Sequence, residues 1–265
     1  MIHKTLPGRR GTVHYWIDGD GTHSLVFTHG ATMDHGLFQY QTAYFAEHFK
    51  VISWDVPLHG QSRPYTDFSL QNAANEMLEI LDAEHIGQAH LVGQSMGGYI
   101  SQIAAAAHPD RVRTITAVDS SPVQLSYYPW LDRWLLSLTP FLLRLYPYST
   151  LINLTAKQIA LNASSRAYAL ATLKTYTKAE IVRIMGAVYD GLLQADQDSL
   201  SCPVFIVYGD RDTTGKVRSY CDRWAAQEKR ELKIIPNAAH NANMDNPDEF
   251  NKILDEFLAR AIVQN

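Results

Sequence analysis

A serine hydroxyl attacks a carbonyl only when a neighbouring base takes its proton, and that base works best when an acid orients it. Ser95 sits where such chemistry needs it, in Gly93-Gln94-Ser95-Met96-Gly97, a G-x-S-x-G run. The apolar stretch Ala89-His90-Leu91-Val92 precedes it and the helical run Tyr99–Ala107 follows. A sharp strand-to-helix turn forces its central residue into strained angles, so its flanking residues must be small. His240, in the loop Pro236-Asn237-Ala238-Ala239-His240-Asn241-Ala242-Asn243-Met244, is the best base. Asp210 and Asp212 both follow the apolar run ending at Tyr208, where open α/β sheets form their sites, and either could be the acid. Asp119, after the run ending at Val118, is a third carboxylate so placed.

Attack on a carbonyl also needs donors for the developing oxyanion. Met96, the residue after the nucleophile, presents its N–H at a helix start, where the helix dipole also favours negative charge. The turn His29-Gly30-Ala31-Thr32 follows the strand-like Leu25-Val26-Phe27-Thr28 and aims the N–H of Ala31 at the same spot. His29 is expected to brace this loop by hydrogen bonds.

Short β-branched or apolar runs alternate with helical patterns, the mark of βαβ units and a mostly parallel sheet. Strands are expected at Val13–Ile17, Leu25–Thr28, Val51–Asp55, Ala89–Val92, Ile115–Val118, Val204–Tyr208 and Leu232–Ile235, and helices at Leu70–His85, Gly97–Ala107, Val217–Gln227 and Pro247–Ala261. Asn246 is a plausible cap for the last helix. Between Ser120 and Leu200 the strand signal disappears, and several helices interrupted by Pro129, Pro140 and Pro147 are expected. The chain thus divides into core residues 1–120, a helical insertion at 121–199 and core residues 200–265. Within the insertion an apolar stripe at helical spacing, widened by aromatic residues, suits a lid over an apolar pocket. Trp130, Trp134, Leu138 and Phe141 are expected to line that pocket.

Composition removes several function classes. With 265 residues, 46% hydrophobic and 19% charged, the chain can bury a core without staples. Its net charge of −4 and lack of a long basic run disfavour nucleic-acid binding. Two cysteines, Cys202 and Cys221, cannot build a disulfide framework, and no Cys/His cluster has zinc spacing. The N-terminus lacks the apolar stretch of a secretory signal, and no run is long enough to span a membrane, so a cytoplasmic protein is expected. Neither G-x-G-x-x-G nor G-x-x-x-x-G-K-[ST] follows a strand, which disfavours a nucleotide enzyme.

These motifs together resemble the α/β-hydrolase-fold serine hydrolases of the esterase, lactonase and aminopeptidase type, over nearly the whole chain. The order Ser95, Asp212, His240 is the family's, and its acid falls three residues after a glycine, which selects Asp212 after Gly209 over Asp210. Asp55-Val56-Pro57-Leu58-His59-Gly60-Gln61-Ser62 resembles the family's D-x-x-G-H-G-x-S loop, with Pro57 and Leu58 as departures. Ala238 stands where the family commonly has glycine two residues before the histidine. The resemblance implies an α/β-hydrolase fold: a mostly parallel central sheet flanked by helices, with a helical cap inserted after the sixth strand. It implies a Ser95–His240–Asp212 triad with Ala31 and Met96 as oxyanion donors, no cofactor and no metal. A serine at the elbow argues against the epoxide hydrolase and haloalkane dehalogenase branches, which use aspartate there. The apolar, aromatic cap favours a carboxylesterase acting on a neutral, apolar, small-molecule ester. Lactone, amide, thioester or carbon–carbon bond cleavage are the alternatives, and a non-catalytic ligand receptor is a further one.

Overall fold

A computed structural model of the chain describes residues 1–195 and 200–263. In chain order the core begins with β1 (Ile2–Pro7), β2 (Thr12–Asp18), β3 (Ser24–Thr28), α1 (Gln39–Phe45), β4 (Lys50–Trp54), α2 (Leu70–Ala83), β5 (Ala89–Gln94), α3 (Met96–Ala107) and β6 (Val112–Val118). Four helices follow: α4 (Trp130–Leu145), α5 (Tyr148–Ile159), α6 (Ala163–Leu173) and α7 (Lys178–Gln194). The chain then returns through β7 (Val204–Gly209), α8 (Val217–Glu228), β8 (Glu231–Ile235), the short α9 (Ala242–Asp245) and α10 (Pro247–Val263). The expected end of the insertion, at residue 199, lies outside the described residues.

The strands form one eight-stranded sheet in the order β1-β2-β4-β3-β5-β6-β7-β8. β1 and β2 pair antiparallel with each other, as do β2 and β4, and every other pairing is parallel. The central strands β3, β5 and β7 are buried along their whole length, which is why they read as continuous apolar runs. Helices cover the sheet; Phe257 of α10, for instance, stacks on Phe205 of β7 at 4.8 Å. Asn246 caps α10 through Oδ1, which accepts from Glu249 N. Among the described residues no helix is long and apolar enough to cross a membrane.

Three local features depart from expectation. β1 carries no apolar alternation, because this edge strand is exposed at all but Leu6. Pro140 does not interrupt the insertion; it lies inside α4, facing the small Gly186 of α7. Leu58 adopts φ 70°, the left-handed conformation that the family's glycine tolerates without strain. Burial of the Leu58 side chain helps offset that strain.

Candidate active site

Ser95 occupies the one-residue junction between β5 and α3, with φ 50° and ψ −115°. Such angles cost about 1–3 kcal/mol in a non-glycine residue, so the surroundings must hold them in place. Ser95 N donates to Val118 O at 2.8 Å, and Ser120 Oγ donates to Ser95 O at 2.8 Å. Packing forbids larger neighbours. A Cβ on Gly97 would lie 2.0 Å from Thr28 O, and one on Gly93 2.2 Å from Gly97 O. The strained turn therefore follows from close backbone approach on both sides of the serine.

His240 and Asp212 come from the loops after β8 and β7. His240 Nδ1 lies 2.9 Å from Asp212 Oδ2, which leaves Nε2 without a partner among the described residues. Asp212 Oδ1 accepts from Thr214 N at 2.7 Å. Burial alone would raise the Asp212 pKa, but the His240 contact and the Thr214 donors hold it below the ordinary carboxylate value. Asp210 points elsewhere: its carboxylate accepts from Ala238 N and faces Arg211. Asp119 is fully buried and accepts from Gly209 N at 2.8 Å and Ala242 N at 3.3 Å. Its pKa is pushed well up, by burial first and by Asp212 second. Ala238 is buried where the family has glycine, and its neighbour Asn237 takes a left-handed φ of 55°.

Ser95 and His240 line one cavity of about 530 Å³ beneath the inserted helices. Ala31 lines it too. Met96 opens α3, where first-turn N–H groups have no partner within the helix. His29 braces the Ala31 loop as expected: Nδ1 lies 2.8 Å from Gly30 O, and Nε2 accepts from Val56 N at 3.0 Å. Burial lowers its pKa, so it serves as a neutral strut.

The four cap residues expected in the pocket are placed differently. Trp130, Trp134 and Phe141 are 72%, 54% and 58% exposed, and neither they nor Leu138 line the cavity. The opposite side of α4 does so, through Leu136, Thr139 and Leu143, facing Ile181, Val188 and Leu192 of α7. Asp132 fixes this rotation. Its buried carboxylate accepts from Lys216 Nζ at 2.7 Å and from the Tyr220 hydroxyl of α8, so its side of the helix turns inward.

Sequence reasoning missed Gln94. Its Nε2 donates to His240 O at 2.7 Å, and its Oε1 lies where a Cβ on Gly30 would fall, so it wedges between the histidine and His29-Gly30 loops. Its place inside the G-x-S-x-G run was the only available signal. Tyr99, one helical turn after Ser95, also lines the cavity.

Sheet order, elbow and cap define a class, and the family model for the alpha/beta hydrolase fold matches residues 23–247; the chain belongs to that family. A relative from Acinetobacter baylyi, named (E)-2-((N-methylformamido)methylene)succinate hydrolase, is 24% identical over 97% of this chain and 98% of its own. A pimeloyl-[acyl-carrier protein] methyl ester esterase from Serratia marcescens is 28% identical over 94% of this chain and 99% of its own. Among solved structures, a hydrolase from Pseudomonas aeruginosa PA01 superposes with a TM-score of 0.81 at 20% identity, covering 97% and 98% of the two chains.

Proposed function

We propose that this chain is a carboxylic-ester hydrolase that works through an acyl-enzyme on Ser95. The observation that carries the reading is a strained, close-packed serine sharing one cavity with a histidine bonded to a buried aspartate. Ser95 Oγ attacks the ester carbonyl as His240 Nε2 takes its proton, and Asp212 holds the ring and stabilises the imidazolium. The N–H groups of Met96 and Ala31 receive the oxyanion, each worth about 2.7–4 kcal/mol in such sites. Collapse expels the alcohol, which takes its proton from His240. Water, activated by the same ring, then attacks the acyl-enzyme and releases the acid. The leucine, isoleucine and valine side chains of α4 and α7 suit a neutral substrate with an apolar chain. Ester-cleaving chemistry in the Serratia marcescens relative's name fits this reading.

The test is covalent. A fluorophosphonate should label Ser95, as located by peptide mass spectrometry, and p-nitrophenyl esters from acetate to palmitate should be hydrolysed faster than lactones or aminoacyl amides. Absence of labelling and of ester turnover would instead favour a ligand receptor; faster lactone turnover would move the substrate class.

A further inference from the structure

Three hydroxyls on the cavity wall beside the elbow take no part in the proposed proton transfers. Tyr99, Ser121 and Tyr128 all line the cavity and are all buried. Tyr99 Oη lies 3.0 Å from Ser121 Oγ, which lies 2.7 Å from Tyr128 Oη. Tyr128 Oη donates to the carbonyl of Pro122 at 2.6 Å. That last contact sets the polarity of the whole chain. A carbonyl oxygen can only accept, so the Tyr128 proton is committed to Pro122, and each hydroxyl has a single proton to give. Ser121 must then donate to Tyr128, and Tyr99 must donate to Ser121. All three protons run away from Tyr99, whose oxygen keeps only lone pairs to offer. Burial raises the pKa of both tyrosines, so neither loses its proton near neutral pH.

Resting on the hydrolase reading of Ser95, we propose that Tyr99 is a specificity-determining residue, a hydrogen-bond acceptor on the cavity wall that selects substrates carrying an N–H or O–H donor. A substrate with a donor within reach satisfies the buried oxygen. An analogue with a methylated nitrogen or an ether at that place leaves the oxygen's lone pairs desolvated and without a donor, which sites of this kind discriminate against. The substrate class is thereby narrowed to esters whose otherwise apolar chain bears one donor, such as a secondary amide.

The experiment compares kcat/KM for p-nitrophenyl esters of N-acetyl-β-alanine, N-acetyl-4-aminobutyrate and N-acetyl-6-aminohexanoate with their N-methylated counterparts. The wild type is expected to favour the N–H member at one or more of these lengths by about tenfold, the discrimination that one unmet buried hydrogen bond supplies. Tyr99→Phe should bring that ratio to about one, whatever its absolute turnover. Steric rejection of the methyl group would survive in Tyr99→Phe, so a ratio unchanged from wild type overturns the proposal. Tyr128→Phe supplies a second variant, because losing the Pro122 contact frees the Ser121 proton to face Tyr99. The Tyr99 proton can then turn into the cavity, and the preference should fall or invert. A wild-type ratio within twofold of one at all three lengths overturns the proposal while leaving ester hydrolysis intact. A wild type that turns over none of these esters and resists fluorophosphonate overturns the hydrolase reading and the specificity with it.

Discussion

Asp119 and Asp212 set two buried carboxyl groups against one imidazole: a single oxygen from each and a ring nitrogen of His240 all lie within 4.8 Å of one another. Like charges so close in a dry site cannot both ionise cheaply. Asp212 is held in its charged form by His240 and Thr214, whereas Asp119 is pushed toward its neutral form. Through Gly209 N and Ala242 N, Asp119 also ties together the loops that carry Asp212 and His240.

The two aspartates should therefore respond differently to the same change. Asp212→Asn is expected to lower kcat on the order of 10⁴-fold, because an amide cannot orient the ring as a charged acceptor. Asp119→Asn keeps the shape of a carboxyl already pushed toward its neutral form and lies off the His240 Nδ1 contact, so it should cost far less. Steady-state kinetics on one p-nitrophenyl ester decide this. A larger loss at Asp119 would move the acid to the end of β6.

Ser95→Ala should lower kcat on the order of 10⁶-fold with circular dichroism unchanged. Ser95→Gly should be equally inactive yet more stable than Ser95→Ala by about 1 kcal/mol, since glycine occupies φ 50° without strain. Paired thermal melts read the difference. Equal melting temperatures would mean that the strain at this position does not exceed the extra chain entropy glycine loses on folding.

Buried neutral histidines make stability depend on pH. Burial depresses His59 to about 3 and His90 to about 4, and each leaves Nε2 without a partner among the described residues. Both pKa values lie below the unfolded value of about 6.5, so below that pH the unfolded chain binds protons that the folded chain refuses. Stability is thus fully present above about pH 6.5 and lost on acidification, at about 1.4 kcal/mol per pH unit for each histidine. Urea unfolding at pH 7 and pH 5 should differ by about 2 kcal/mol less in His90→Asn than in wild type. Identical differences in the two proteins would show that His90 is not held neutral.

The strained serine after β5, an aspartate after β7 and a histidine after β8 could be picked out because strand ends place them, whereas preferring Asp212 to Asp210 needed the family resemblance. The buried strands were legible for a different reason, because burial on both faces leaves short, mostly apolar runs. Rotation of α4 was not, because apolar residues surround that helix on most sides and periodicity cannot say which arc turns inward. Asp132 decides it through Lys216 and Tyr220, which lie 84 and 88 residues away in the chain. The polarity of the Tyr99 relay likewise depends on the Pro122 carbonyl, a main-chain group that no side-chain motif marks.

That rotation turns the chain-length dependence of catalysis into a test of the cap. Each acyl methylene buried in the cavity gives about 0.8 kcal/mol, so two should raise kcat/KM roughly tenfold until the space is filled. Leu143 lines that space and Trp134 faces solvent. Leu143→Trp should shorten the usable chain, abolishing the gain from butyrate to octanoate while sparing acetate, because Ser95, His240 and Asp212 stand on the core sheet and its loops. Trp134→Ala should leave the length profile intact, because the indole lies on the side of α4 away from the cavity. Rates for the acetate, butyrate and octanoate esters, measured with both variants and beside melting temperatures, separate the two faces of the helix. A flattened profile in Trp134→Ala with an unaltered one in Leu143→Trp would mean that α4 meets substrate through its aromatic side.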